Sequence, residues 1–113
     1  MSKTDDIKVK DIRDLLEKLL KQKGISIYKI ILFGSFVKGG FGKESDIDII
    51  IVSKDFRNRS IFERVEKTTG VGRELVKRFQ RPFDLIYYSD EEWEEKKLLL
   101  INEAKEYGEV IYG

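Results

Sequence analysis

The segment 46–52, which reads DIDIIIV, constrains the fold of this chain more than any other. Its β-branched residues favour a strand, and the side chains of a strand alternate between two faces. Alternation places three isoleucines on one face, and it places Asp46 and Asp48 together on the other. We therefore expect a strand inside a hydrophobic sheet that presents two carboxylates from the same face.

Shorter patterns on either side of this strand complete the sheet and add a helix. Runs of β-branched and aromatic residues predict further strands at 28–33, 83–88 and 110–112. Apolar residues at helical spacing predict a helix over 11–23, which could begin as early as Asp5 and which stops at Gly24. These elements give the chain both strands and helices.

Two longer helices are expected after the acidic strand. One would run to Phe79 with a kink where Gly70 and Gly72 weaken it, and the other would run without interruption to Gly108. The capping candidates are Asn58 or Ser60 for the first and Ser89 or Asp90 for the second. The sequence thus predicts one mixed α/β (α+β) domain, residues 1–113, in which helices flank a small mixed β-sheet.

Composition excludes several classes of chemistry. The chain has no cysteine and no histidine, so disulfides, thiol nucleophiles, histidine catalysis and the usual zinc sites are excluded. Its 22 basic and 21 acidic residues nearly cancel, which makes nucleic acid an unlikely partner. No apolar run is long enough to span a membrane, and the N-terminus lacks a signal peptide, so we expect a cytoplasmic protein.

Gly34 and Ser35 follow the first predicted strand and could cradle a phosphate. Glycine lets the backbone approach a ligand closely, and amide groups at the start of a helical turn attract anions. The hydroxyl of Ser35 would add a donor, and Lys38, one turn later, would add a positive charge. The glycine-rich segment 36–45 is expected to form a short helical turn and then a flexible loop that closes over the ligand.

The carboxylates of Asp46 and Asp48 would repel each other, and a divalent cation such as magnesium relieves this repulsion. Asp84, on the next predicted strand, is the candidate for a third carboxylate in a site for two metal ions. An alternative for Asp84 is a structural ion pair with Arg78 or Arg81. The combination of a phosphate turn and three acids favours phosphoryl or nucleotidyl transfer.

These residues closely resemble the motif of the DNA polymerase β-like nucleotidyltransferase superfamily. Within it, the block GSFVKGGFGKESDIDIIIV looks like the minimal nucleotidyltransferases (MNT), which are typically antitoxin partners of HEPN-domain toxins. The resemblance implies the polymerase β-like fold. It also implies that Ser35 contacts the nucleotide phosphates, that Asp46 and Asp48 bind the metals, and that Asp84 is the third catalytic carboxylate. Lys38 departs from the arginine of many minimal members.

We therefore hypothesise a magnesium-dependent enzyme that uses ATP to adenylylate a hydroxyl. The resemblance implies a tyrosine of a HEPN toxin as acceptor, in a hetero-oligomer with this chain. Alternative hypotheses are a nucleotidyltransferase acting on a small molecule or an RNA end, and a non-catalytic antitoxin that only masks its partner.

Two surface features bear on these alternatives. A basic cluster at the end of the helix predicted to run to Phe79 is expected to be a solvated face without a binding role. Three consecutive leucines on the last helix cannot all point inward, which predicts an apolar surface for a partner. The residues concerned are Arg73, Lys77, Arg78 and Arg81 in the basic cluster and Leu98, Leu99 and Leu100 in the apolar run.

Overall fold

The computed structural model describes residues 7–33, 46–95 and 98–113. It contains four strands and five α-helices within those ranges. The strands are β1 Lys29–Phe33, β2 Ile47–Val52, β3 Phe83–Tyr88 and β4 Glu109–Tyr112. The helices are α1 Val9–Gln22, α2 Ile61–Lys67, α3 Val71–Phe79, α4 Asp90–Glu95 and α5 Leu99–Tyr107, and Lys54–Phe56 forms a 3-10 turn.

The four strands form one mixed sheet in the order β3-β2-β1-β4. β1 is antiparallel to both of its neighbours, whereas β2 and β3 are parallel. Parallel neighbours need a crossover connection, and α2 and α3 lie in the chain between these two strands. The predicted mixed α/β class is confirmed, and all four predicted strands are present to within one residue.

Each face of the sheet carries its own hydrophobic core. The first core packs α1 and α3 against one face, and the second packs the α4 and α5 side chains against the other. From β2, Ile47, Ile49 and Ile51 enter the first core and Ile50 and Val52 enter the second. Asp48 therefore lies on the face that is covered by the second core.

Helix α1 ends as its sequence predicts. Gly24 has a φ of 75°, a conformation in which a side chain would be strained. The amide of Ile25 donates to the Leu20 carbonyl at 2.9 Å, and both side chains are buried in the first core. This hydrogen bond, together with that from Gly24 to the Lys21 carbonyl, forms the Schellman arrangement that closes a helix before a glycine.

The prediction of one kinked helix up to Phe79 was wrong, because the chain forms two separate helices. Ser60 caps α2 through a reciprocal capping box with Glu63. The chain then turns at Gly70, whose φ is 91°, before α3 begins. Helix α3 buries Val71, Leu75 and Phe79, whereas the apolar side chains of α2 are exposed. Phe62, for example, is 87% exposed.

The last helix is also divided, against the prediction of a continuous helix to Gly108. Ser89 caps α4 by accepting from the Glu92 amide at 3.1 Å. Leu98 has φ −94° and ψ 137°, an extended backbone that cannot belong to a helix, and α5 begins after it. As predicted, the leucines do not all point inward, since Leu98 is 45% and Leu99 is 74% exposed.

The basic cluster is not a uniformly solvated face, because Arg81 is buried at 3% exposure. Arg73, Lys77 and Arg78 are exposed, as expected. Among the described residues, no helix is long and apolar enough to cross a membrane.

Candidate active site

The sheet brings Asp48 and Asp84 side by side. In the parallel pairing of β2 with β3, Asp48 is the register partner of Asp84. Register partners in neighbouring parallel strands point to the same face of the sheet. Asp46 immediately precedes β2, two residues before Asp48, and is exposed. The three predicted carboxylates therefore lie near one another at one end of the two strands.

The environment of Asp48 disfavours its charged form. The side chain is half-buried, and burial is the largest cause that raises the pKa of Asp48 above its ordinary value. The negative charges of Asp84 and then of Asp46 raise the pKa of Asp48 further. Asp84 and Asp46 are thus close enough to Asp48 for their negative charges to repel it. A bound cation relieves this kind of repulsion.

The alternative role of Asp84 as half of a structural ion pair finds no support in the described part of the chain. Asp84 forms no ion pair there with Arg78 or Arg81. The guanidinium of Arg78 lies over the Phe79 ring instead, 5.0 Å from its centroid. Asp84 is exposed, so its carboxylate is accessible to a ligand.

Comparison with known families identifies the kind of protein. The sequence model of the family described as "Nucleotidyltransferase domain" matches residues 12–111, which is nearly the whole chain. The chain belongs to the nucleotidyltransferase domain family. The resemblance found in the sequence motif is thereby confirmed at the level of the family.

Individual nucleotidyltransferases resemble the chain over most of its length. A protein of Methanocaldococcus jannaschii that is named a putative protein adenylyltransferase is 24% identical over 100 residues, covering 88% of this chain and 91% of its own.

Solved structures share the fold. A toxin-antitoxin crystal structure with AMP-PNP superimposes with a TM-score of 0.64 at 23% identity, covering 88% of this chain and 72% of the other. A complex of a tri-AMPylated Shewanella oneidensis HEPN toxin with its MNT antitoxin gives a TM-score of 0.57 at 19% identity, with 94% and 73% covered.

The carboxylates of this nucleotidyltransferase have the chemistry that magnesium prefers, since it binds hard oxygen donors. Among the described residues, however, no group of three or more acidic, histidine or cysteine side chains is already arranged to hold a metal ion. The donor set therefore fits magnesium, and binding would require the carboxylates to converge.

The predicted phosphate-binding residues Gly34, Ser35 and Lys38 lie outside the described residues, as does the predicted loop 36–45. The described part of β1 ends at Phe33, and Phe33 is the register partner of Asp48.

Arg64 is a residue whose importance the sequence did not reveal. Its side chain is 7% exposed and donates to the Tyr87 carbonyl at 2.9 Å and to the Glu92 carboxylate at 2.8 Å. It thereby fixes α2 and α4 to the C-terminal half of β3, the strand that carries Asp84. No sequence signal distinguishes it, because it is one of 22 basic residues and most of these are solvated.

Proposed function

We propose that this chain is a magnesium-dependent protein adenylyltransferase that transfers AMP from ATP to a tyrosine hydroxyl of a HEPN toxin in the cytoplasm. The observation that carries the proposal is the register of Asp48 opposite Asp84, with Asp46 at the start of the same strand. Family membership supports transfer of a nucleotide, and the name of the Methanocaldococcus relative supports a protein as acceptor.

Different site residues would bind ATP and the acceptor. Gly34 and Ser35 would hold the triphosphate of ATP through backbone amides and a hydroxyl, and Lys38 would add a positive charge. Asp46 and Asp48 would position the nucleotide through metal ions. Asp84 would orient the acceptor oxygen and receive its proton.

Asp46, Asp48 and Asp84 would hold the magnesium ions, two in the proposed site. When bound, magnesium neutralises charge on the phosphates and lowers the pKa of a coordinated oxygen nucleophile. The protein itself supplies the hard oxygen donors and fixes them on two adjacent strands.

A protein partner is further supported by the apolar surface of α5 and β4. Its members are Leu98, Leu99, Tyr107 and Val110, which are 45, 74, 60 and 51% exposed. Large exposed apolar patches on a protein surface mark interaction sites. We propose that this α5–β4 surface binds the toxin in a hetero-oligomer.

The proposal is tested by offering ATP labelled at the α-phosphate together with magnesium, the chain and a HEPN-domain toxin. Label is expected in the toxin, at tyrosine, and Asp48→Asn is expected to lower the rate by on the order of 10²–10³-fold. Aminoglycosides and RNA ends serve as competing acceptors. Label in either of these, with none in protein, would overturn the proposal in favour of a different substrate class.

The same apolar surface favours a second candidate function, in which the chain neutralises its partner only by masking it. A double variant, Asp46→Asn with Asp48→Asn, separates the two possibilities in cells that express the toxin. Loss of protection supports catalysis. Full protection by a double variant that still binds the toxin supports masking.

A further inference from the structure

β3 is the outer strand of the sheet on the side of the carboxylates. The amide of Ile47 donates to the Pro82 carbonyl and that of Ser53 donates to the Tyr88 carbonyl, so the even-numbered residues of β3 direct their backbone groups toward β2. Backbone groups alternate sides along a strand. The residues whose N–H and C=O groups point away from the sheet are Phe83, Leu85 and Tyr87.

This outer edge is closed at one end and open at the other. Arg64 donates to the Tyr87 carbonyl at 2.9 Å and thus occupies the C-terminal end. In the described part of the chain, the outward groups of Phe83 and Leu85 have no hydrogen-bond partner. These two residues flank Asp84, so the open part of the edge lies beside the proposed active site.

An uncharged groove of about 410 Å³ runs along the same edge, between β3 and the α2–α3 connection. None of the described residues that line it is charged, although 38% of the chain is. Gly72 leaves space in the wall, since a Cβ placed there would lie 3.7 Å from the Leu85 side chain. Val65 lines the groove and is 52% exposed. An unpaired edge beside an uncharged groove is a template for another strand.

We propose that the acceptor hydroxyl arrives on an extended polypeptide segment that adds to β3 as an antiparallel strand, with the hydroxyl residue directly opposite Asp84. The inference rests on the proposed function, which it makes more specific, and it commits to a substrate segment as the occupant because the open edge is continuous with the carboxylates. Asp48 and Asp84 lie in one row across the sheet. The acceptor residue on the added strand would be the next member of that row.

The alternation of backbone groups determines this geometry. Because Asp84 directs its own backbone groups toward β2, an antiparallel partner residue would form a non-hydrogen-bonded pair with it. Such pairs bring Cα atoms to about 4.5 Å, closer than hydrogen-bonded pairs. The residues before and after the acceptor would exchange hydrogen bonds with Leu85 and Phe83. The hydroxyl would then stand on the face that carries both aspartates.

The reaction at this position is a balanced transfer of AMP. The acceptor oxygen forms a bond to the α-phosphorus of ATP while the bond from that phosphorus to the bridging oxygen of the β-phosphate breaks. Pyrophosphate leaves with the bonding electrons. The hydroxyl proton passes to the Asp84 carboxylate and from there to water.

The two faces of the added strand select different side chains. The residues on either side of the acceptor would point into the uncharged groove, which selects apolar side chains there. The next residues outward would share the face of Asp84 and Asp46, whose charges disfavour acidic side chains. The substrate class is therefore an extended apolar–hydroxyl–apolar segment without nearby acids.

N-methylation of substrate peptides tests the docking directly. The probe is a seven-residue peptide with a central tyrosine, a valine on each side and lysines at its ends, assayed with labelled ATP. N-methylation of either valine is expected to lower kcat/KM about tenfold, because each loses a hydrogen bond to β3 and meets a steric clash. Methylation of the tyrosine amide is expected to change it less than about twofold. A loss that does not alternate along the peptide would overturn the proposal.

The chain offers a matched pair of variants for the same assay. Val65→Glu places a charge in the groove and is expected to raise KM for the peptide about tenfold while KM for ATP stays unchanged. Ile61→Glu is the control, because Ile61 is also an exposed apolar residue of α2 but does not line the groove. Equal peptide KM values for the two variants would overturn the proposal. The proposal would also be overturned if Val65→Glu changed only the self-association of the chain, because a second copy would then be the occupant of this edge.

Failure of the inference remains distinct from failure of the proposed function. If the unsubstituted chain adenylylates protein or peptide without any dependence on backbone methylation or on Val65, only the strand docking is wrong. If it transfers AMP to no protein or peptide at all, the proposed function is wrong.

Discussion

At the scale of single residues, Asp48 is a half-buried carboxylate on a strand whose other side chains are apolar. Burial and the charges of Asp84 and Asp46 raise the pKa of Asp48, which means that the fold favours its protonated form. Functional sites typically contain residues that lower the stability of the fold in this way, because their side chains are needed for chemistry.

Replacing Asp48 is therefore expected to increase stability as well as to slow transfer. Because the folded-state pKa is raised, the contribution of Asp48 to stability is fully present below its unfolded pKa and is lost as pH rises through the folded pKa. In the presence of a chelator, Asp48→Asn should melt at a higher temperature than the parent near pH 7, and the gap should close as pH falls below the unfolded pKa. Thermal melts across that range measure this.

Asp14→Asn is a suitable control for this prediction, because Asp14 is an exposed residue on α1. It should show no comparable gain that grows with pH. A lower melting temperature for Asp48→Asn at neutral pH would contradict the prediction.

At the scale of elements, two capping boxes set where helices begin. Ser60 with Glu63 opens α2, and Ser89 with Glu92 opens α4. Both N-caps were predicted from the sequence, which offered two candidates for each. Geometry selected the serine in both cases, since Asn58 adopts a φ of 57° and Asp90 is already inside α4 and bonded to Arg57.

Removing the first box should cost measurable stability. Ser60→Ala deletes the acceptor of the Glu63 amide, and we expect the free energy of unfolding to fall by about 1 kcal/mol. Ser26→Ala, at an exposed serine outside the helices, should change it by less than about 0.5 kcal/mol. Urea denaturation compares the two variants, and equal values for both would contradict the assigned cap.

Arg64 connects three elements and makes stability depend on pH. Burial by itself would raise the pKa of Glu92, but the hydrogen bonds from Arg64 and Ser89 outweigh it and lower that pKa. Because the folded-state pKa is depressed, the stabilisation is present above the unfolded pKa and is lost as pH falls through the folded pKa.

Arg64→Met should thus lower the free energy of unfolding by about 2–3 kcal/mol at pH 7, since it leaves the Tyr87 carbonyl without its buried partner. The variant should also lose less of its stability than the parent on acidification, because the pKa of Glu92 is no longer depressed. Urea titrations at pH 7 and at pH values below the ordinary range of glutamate measure both effects. If the free energy of unfolding falls equally for the two proteins on acidification, the role of this ion pair is contradicted.

At the scale of the whole molecule, the sheet separates three surfaces. The carboxylates lie at one end of β2 and β3, the open edge of β3 lies beside them, and the α5–β4 surface lies at the other edge of the sheet. In the proposed complex the toxin would contact the α5–β4 surface and would present its acceptor segment to the open edge of β3.

The α5–β4 surface yields a prediction about association. Leu99→Glu should weaken binding of the HEPN partner at least about tenfold, because a charge replaces a large apolar contact. Ile61→Glu is matched in exposure, 75% against 74%, and lies on α2, so it should leave the affinity nearly unchanged. Titration calorimetry with the purified toxin measures both, and equal losses would contradict the assignment.

The sequence by itself determined the strands, the first helix and one face of the site. Periodicity in 46–52 established both the strand and the common face of Asp46 and Asp48, because alternation is a local property of the backbone. The stop at Gly24 followed from its conformational freedom. The roles predicted for Gly34, Ser35 and Lys38 rest on the sequence motif.

Only the tertiary structure decided that β3 lies parallel and adjacent to β2, which brings Asp84 opposite Asp48 across 36 residues of chain. It also divided the long helices at Gly70 and Leu98, and it buried Arg64 against the β3 edge. Strand order and helix breaks depend on how distant segments bury their apolar faces together, and no local pattern contains that information. The open edge beside Asp84, and hence the proposed route of the acceptor, exists only in the folded sheet.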